Sequence, residues 1–302
     1  MKTADRARGK WRGILMACGI DERFLTGKHG PCPFCEGRDR FRWDNDKGNG
    51  TFICSQCGAG DGFEFLKRHK GWDFKAAAHE VDRIVGGVIP EPVKRQIAPE
   101  ERAAMLNRLW QASERLSGED MASRYLAGRD CLPPSAPSCL RFAERCPVPF
   151  GGGYAPAMLA MVSDPEGRPV NLHRTFLGPN GKADMDNPRA MMPGELPDGA
   201  AVRLFPVHGA RLGIAEGIET AIRASKRFAV PVWSAINSTM LAKWEAPAGV
   251  EEVIVFGDSD PAFGGQAAAY ALAHRLAARR KLAVTVQIPE RLGLDWADSD
   301  AA

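Results

Sequence analysis

Cys32-Pro33-Phe34-Cys35 and Cys54-Ser55-Gln56-Cys57 decide how the N-terminal part of this chain is read. Together they spell C-x2-C-x18-C-x2-C, a spacing that reads as a zinc site. Zinc takes four ligands at tetrahedral corners, with Zn–S near about 2.3 Å, and two such turns supply all four thiolates. A closed four-sulfur shell leaves no open position, so one structural Zn²⁺ is expected rather than a catalytic one. Between the two turns, Asp39–Trp43 and Thr51–Ile53 read as strands and Gly48-Asn49-Gly50 as the turn joining them, which predicts a zinc β-ribbon. Buried or disulfide-bonded cysteines are the competing reading, and the specific spacing weighs against it. Cys18, Cys131, Cys139 and Cys146 match no metal spacing and read as reduced thiols.

Outward from the ribbon, residues 4–18 place Trp11, Ile14, Leu15 and Cys18 at helical spacing, with Gly19 as a stop. Asp73 is placed to cap a helix running to Val85. Gly86–Lys94 breaks all periodicity and reads as a linker. Pro99-Glu100-Glu101 opens another helix, with Pro at the first position and acids in the first turn. Ala157–Ser163 and Pro169–Leu177 predict a β-hairpin turning at Asp164–Gly167. From Ala210 the pattern changes. Leu212–Ala215, Val230–Ile236, Glu252–Phe256 and Ala283–Ile288 are short apolar runs, separated by helical stretches at Ile218–Arg227, Thr239–Trp244 and Gln266–Arg280. This alternation predicts a doubly wound parallel sheet whose sites lie at strand C-termini. The expected organisation is an α/β protein: a zinc-ribbon domain over 1–86, a linker over 87–98, a helical and hairpin part over 99–209, and the parallel-sheet domain over 210–302.

The 302 residues have room for about two domains. With 44% hydrophobic and 25% charged residues the composition is that of an ordinary globular protein. No 18-residue apolar run and no signal-like N-terminal stretch occur, so a cytoplasmic location is expected. The net charge of +3 is unevenly spread. Residues 1–75 hold 15 Lys/Arg against 10 Asp/Glu, and the remainder 25 against 27. A basic ribbon module points to a polyanionic partner.

Two predicted strands end in acids. Leu212-Gly213-Ile214-Ala215 runs into Glu216-Gly217, and Val253-Ile254-Val255-Phe256-Gly257 runs into Asp258-Ser259-Asp260. In an open parallel sheet both ends face one crevice. Carboxylates gathered there repel one another unless a cation neutralises them, and hard oxygen ligands favour Mg²⁺ or a related ion. Solvated loop acids that merely follow strands are the alternative. Asp295-Trp296-Ala297-Asp298-Ser299-Asp300 adds carboxylates after the last strand, either as further ligands or as a frayed tail.

These residues together resemble the phage- and plasmid-type DNA primases, which join an N-terminal zinc ribbon to a C-terminal Toprim (topoisomerase–primase) domain. His29–Cys35, Asp39-Arg40-Phe41 and Cys54–Gly62 resemble the primase zinc motif. Ala215-Glu216-Gly217-Ile218-Glu219-Thr220-Ala221 resembles the first Toprim motif, and Phe256–Asp260 with Gly264–Ala268 resembles its D-x-D motif. Asn171–Leu177 resembles the hairpin that precedes Toprim in the same group. The resemblance implies Mg²⁺- or Mn²⁺-dependent synthesis of short RNA primers from nucleoside triphosphates on single-stranded DNA, in phage, plasmid or mobile-element replication. It implies Glu216 as a metal ligand or acid–base group and Asp258 and Asp260 as Mg²⁺ ligands, with two ions about 3.5–4 Å apart. No G-x4-G-K-[ST] is present, so a separate replicative helicase is the expected partner.

Within the ribbon, Arg38, Arg40, Arg42 and Trp43 are the candidate DNA contacts, since single-strand binders combine basic grooves with aromatic platforms. Phe41 and Trp43 are also expected to be at least partly core. His173 and Arg174 either touch nucleotide phosphates or lie on an exposed strand face. Two other functions fit the same motifs: a Toprim nuclease, and a non-catalytic DNA-binding adaptor of replication. A type IA topoisomerase is disfavoured because Tyr125, Tyr154 and Tyr270, the three tyrosines present, do not follow the Toprim unit.

Overall fold

A computed structural model describes residues 2–90, 97–149, 152–185 and 187–298. The chain divides into two compact units, 1–96 and 97–302. The division falls within the segment expected to link them, of which 91–96 lie outside the described residues.

The first unit wraps helices around a small sheet. Its elements are α1 (Thr3–Ala7), α2 (Trp11–Ala17), β1 (Phe41–Trp43), β2 (Phe52–Cys54), β3 (Gly58–Gly60), α3 (Gly62–Lys70) and α4 (Phe74–Ile84). The sheet is antiparallel in the order β1-β2-β3, one strand more than the sequence predicts. The single helix expected over 4–18 is broken in two. Gly9 sits at φ +74° and its N–H donates to Gly48 O at 2.8 Å, which turns the chain out of the helix. Asp61 and Asp73 cap α3 and α4, accepting from Glu64 N at 2.9 Å and Ala76 N at 2.7 Å. Phe34, Phe41, Phe52 and Phe65 form an aromatic nucleus with ring centroids 5.1 to 6.0 Å apart. Each buried ring contributes roughly 1.5–3 kcal/mol. Trp11 packs so closely over Gly62 that a Cβ there would meet its ring at 2.1 Å, so only glycine fits.

The second unit holds two sheets. One is antiparallel, in the order β4-β5-β6-β7-β8 with β9 also pairing β7. Its strands are β4 (Glu114–Arg115), β5 (Leu140–Pro147), β6 (Tyr154–Ser163), β7 (Pro169–Gly178), β8 (Gly181–Lys182) and β9 (Arg189–Met191). The predicted hairpin is its centre, β6 and β7. Asp164 shapes the turn between them by accepting from the Arg168 and Glu166 amides at 2.8 and 3.1 Å. Helices α5 (Pro99–Gln111) and α6 (Met121–Gly128) accompany this sheet.

The other sheet is parallel, in the order β11-β10-β12-β13. It comprises β10 (Arg211–Ala215), α7 (Ile218–Phe228), β11 (Val232–Ser234), α8 (Ser238–Lys243), β12 (Glu252–Phe256), α9 (Gly264–Arg280) and β13 (Ala283–Gln287). The chain first steps from β10 to β11, then crosses to β12 on the other side of β10. That reversal makes a topological switch point beside the C-terminal end of β10. One continuous apolar core runs from Ala122 and Tyr125 through Leu140 and Met158 to Phe256 and Trp296. The segments before and after residue 210 are therefore halves of one core.

Candidate functional site

In the first unit the four ribbon cysteines come together. Cys32 and Cys57 sulfurs lie 3.9 Å apart, as do those of Cys35 and Cys54, and all four fall within 4.8 Å of one another. A tetrahedron with Zn–S of about 2.3 Å has edges of about 3.8 Å, so the tetrad already has the size of a zinc shell. The thiols compete for protons there. The Gly37 amide, followed by Cys57, holds Cys35 down to about 7, while hydrogen bonding with Cys35 pushes Cys57 up to about 12. A cation that binds thiolates removes this conflict.

Of the candidate DNA contacts, Arg38 and Arg40 are exposed and Arg42 is half-buried. Arg40 donates to Gln56 at 3.2 Å, and Arg42 lies 3.7 Å from Asp44. Trp43 is only 5% exposed, so the ring offered as a base platform is a core residue. Alternation along β1 turns Phe41 and Trp43 inward together. Sequence reading passed over Arg68. It stacks 5.5 Å from the Phe52 ring and donates to Cys57 O at 2.9 Å, joining α3 to the second cysteine turn.

In the second unit the acids meet at the switch point. Ala215 pairs with Phe256 in the register of β10 and β12, so Glu216 and Asp258 follow the last paired residues of adjacent strands. Glu216, Asp258, Asp260, Asp295, Asp298 and Ser238 line one cleft of about 350 Å³. A Cβ on Gly265 would meet Asp258 O at 2.7 Å, so the start of α9 approaches the acid loop as only glycine permits. Asp260 is braced on both sides: its N–H donates to Gln266 at 3.2 Å and its Oδ1 accepts from Ala262 N at 2.8 Å. The segment after β13 is no frayed tail as far as residue 298. Trp296 is buried against Phe228 and Phe256, with centroids at 5.3 and 6.1 Å, and this anchor sets Asp295 in the cleft. Ser299 and Asp300 lie outside the described residues.

The electrostatics are those of a crowded anionic site. Burial, then the charges of Glu216 and Asp295, pushes Asp258 up to about 7. Glu216 and Asp295 are also raised, chiefly by burial. The buried Oδ1 of Asp258 has no hydrogen-bond partner, an acceptor aimed at something that supplies positive charge. All the donors are hard oxygens, which fits Mg²⁺ or Mn²⁺. Among the described residues the cysteine tetrad is the only group of three or more ligating side chains gathered within 4.8 Å. The wider spacing of the cleft acids suits ions that keep part of their water shell.

Beside the acids lies a basic margin that the sequence did not reveal. Arg189, at the start of β9, opposes the upward shifts of both Glu216 and Asp258. A neighbouring cavity of about 450 Å³ is lined by Arg124, Arg129, Lys182 and Tyr125. Arg129 reaches to within 4.0 Å of Asp298. Glu219, one helical turn beyond Glu216, is 4% exposed. Burial opposes its ionisation, but Arg189, the Tyr125 hydroxyl and its own N–H outweigh that and hold it down to about 2.

His173 and Arg174 are 7% and 4% exposed, which corrects the expectation of an exposed strand face. The Arg174 guanidinium donates at 2.6 Å to both Pro147 O and Met191 O. It fastens β7 to its neighbours, and this geometry lends no support to phosphate contact. Burial pushes His173 down to about 4, so it is a neutral group inside the sheet at ordinary pH.

Known proteins match this arrangement in segments. Residues 27–63 match the zinc-binding domain of primase-helicase, residues 100–204 a domain of unknown function, and residues 211–301 the Toprim domain. Among solved structures, the zinc-binding and RNA polymerase domains of the Aquifex aeolicus primase are similar at 16% identity and a TM-score of 0.40, over 98% of this chain and 81% of that one. The primase fragment of the bacteriophage T7 primase-helicase protein is similar at 16% identity and a TM-score of 0.40, over 89% and 92%. A DNA primase domain from Pseudomonas aeruginosa gives 14% identity and 0.42, over 66% and 73%. The chain carries, in this order, a primase-type zinc-binding domain and a Toprim domain.

Proposed function

We propose that this protein is a DNA primase that makes short RNA primers on single-stranded DNA for phage, plasmid or mobile-element replication. One observation carries the reading: on a chain bearing a primase-type zinc domain, Glu216 and Asp258 end adjacent parallel strands and open on one acidic cleft with a basic margin. Asp258, Asp260 and Glu216 would hold Mg²⁺ or Mn²⁺, with Asp295 beside them. Bound there, the metal would activate a 3′-hydroxyl and screen the charge of the leaving pyrophosphate. Arg189, Lys182 and Arg129 then meet the nucleoside triphosphate, whose charge the acids alone would repel. Partial burial of the cleft strengthens both sets of interactions. The ribbon arginines Arg38, Arg40 and Arg42 offer contacts to template phosphates.

No helix among the described residues is long and apolar enough to cross a membrane. A cytoplasmic location and a replicative helicase supplied by another chain complete the proposal. The test is incubation with single-stranded DNA, labelled nucleoside triphosphates and Mg²⁺, expecting short products that depend on template and metal. DNA cleavage without ribonucleotides would hand the chain to a Toprim nuclease. Template binding with neither reaction would leave a replication adaptor.

A further inference from the structure

Glu219 stands apart from the cleft acids in every respect. Its carboxylate is buried at the start of α7, where the helix dipole favours negative charge. A single oxygen, Oε1, faces two hydrogen-bond donors and a further cation from three other elements. The Tyr125 hydroxyl donates to it from α6, Arg189 Nη2 lies at 3.3 Å from β9, and Lys182 Nζ at 3.9 Å from β8. The Glu219 backbone carbonyl is also engaged, by the Cys131 thiol at 3.6 Å.

Two features set this cluster apart from an ion pair that serves folding alone. First, one anion faces two cations, so the cluster carries a surplus positive charge. A buried charge cluster adds little to stability over apolar residues of similar volume, so this one calls for a further reason. Second, exposure is graded across the pair. The Glu219 side chain is 6% exposed and that of Arg189 is 47% exposed. One nitrogen of the guanidinium is held by Glu219 while the side chain stays half-exposed, near enough to the cleft for Glu216 and Asp258 to feel its charge. The planar fork of arginine makes such a grip directional, since fixing one nitrogen restricts where the others point.

We infer that Glu219 is the positioning residue of this site, orienting Arg189, and with it Lys182, toward the phosphates of a nucleotide held at the acidic cleft. The inference rests on the nucleotidyl-transfer reading of the cleft. Glu219 itself touches neither substrate nor metal. Its action runs through Arg189.

A double-mutant cycle of Glu219→Gln and Arg189→Ala in the full-length protein tests this, with two readouts. The first is primer synthesis, resolved into kcat and KM for nucleoside triphosphate. The second needs no turnover: Mn²⁺ affinity by electron paramagnetic resonance. Glu219→Gln is expected to lower kcat about 10-fold or more with template affinity unchanged, and to do far less further damage in an Arg189→Ala background. In the second readout, Glu219→Gln leaves the cations uncompensated and weakens Mn²⁺ binding several-fold, an effect that shrinks markedly when Arg189 is absent and only the more distant Lys182 remains. Tyr125→Phe, which removes one donor and no charge, serves if Glu219→Gln folds poorly, and is expected to give a smaller loss that likewise requires Arg189. Additive effects in the cycle overturn the inference, because a residue that only supports folding acts with or without Arg189. A coupled Mn²⁺ cycle in a protein that makes no primers upholds the positioning role and removes the primase reading instead.

Discussion

The cysteine tetrad and the acidic cleft are two clusters of ligating side chains built on opposite plans. The tetrad is soft and closed, and its ligands come from two short turns, 18 residues apart. Two of its sulfur pairs already stand 3.9 Å apart, near the spacing of a finished shell, and all four lie within 4.8 Å. The cleft is hard and open, and its acids come from two strand ends and a segment that follows the last strand of the sheet. Those acids are held apart, one is pushed up to about 7, and one buried oxygen lacks a partner. The difference is between a cluster whose ligands are already gathered and one whose like charges crowd without a partner.

The largest expected effect strikes the cleft alone. Asp258→Asn keeps the shape of the side chain and removes the charge a metal needs. Primer synthesis should fall by about 10³-fold or more, while zinc content and DNA affinity stay at wild-type levels. Primers made at the wild-type rate by this variant would move the active site elsewhere. Cys35→Ser is the mirror image. It should release the zinc and unfold the ribbon, because metal binding and folding are coupled, while 97–302 keeps its cooperative melting transition. Metal analysis and calorimetry read the two outcomes separately, and a full zinc complement in the variant would refute the closed-shell account.

A third prediction sharpens the contrast through pH. The raised pKa of Asp258 means that the folded state holds its proton more tightly than the unfolded chain does. The stability linked to that proton is fully present below about pH 4 and is lost as pH rises through about 7. In chelator, the unit 97–302 should therefore lose roughly 2–4 kcal/mol across this window from Asp258. Asp258→Asn should flatten that part of the curve. Added Mg²⁺ should stabilise more at pH 8 than at pH 5, since the ligand must be ionised. Equal Mg²⁺ stabilisation at both pH values would mean that Asp258 is not a ligand. The smallest effect belongs to the ribbon surface. Arg40→Ala with Arg42→Ala should weaken single-stranded DNA binding and flatten the salt dependence by about 0.7 in slope for each phosphate no longer neutralised. An unchanged slope would place the DNA-binding surface elsewhere, with Arg38 and Arg68 as the next residues to replace.

Much of this was legible in the chain itself. The cysteine spacing, the cap at Asp73, the helix start at Pro99, the β6–β7 hairpin and the four parallel strands are written in local patterns, and each appears within a few residues of its predicted place. The failures are equally local in origin. Residues 4–18 have helical periodicity throughout, and only the tie from Gly9 to Gly48 breaks the helix. Strand β5 escapes a sequence reading because Leu140–Pro147 lacks clean alternation: its burial is interrupted where a bulge shifts the register between Ala143 and Cys146. Arg189 follows a stretch of Asp, Asn and Pro that reads as loop, and nothing near it in sequence marks it as a neighbour of Glu216.

By itself the sequence determined the chemistry of each ligand set, since thiolate pairs at fixed spacing and acids after apolar runs follow from short-range rules. Only the tertiary structure decided what those acids face. Which strands lie side by side, how Trp296 brings Asp295 back to the cleft, and how Glu219 ties α6, β8 and β9 are settled by long-range packing of one shared core. No window of neighbouring residues contains that information, because these pairings join segments roughly 20 to 100 residues apart and their free energy exists only once both sides are folded.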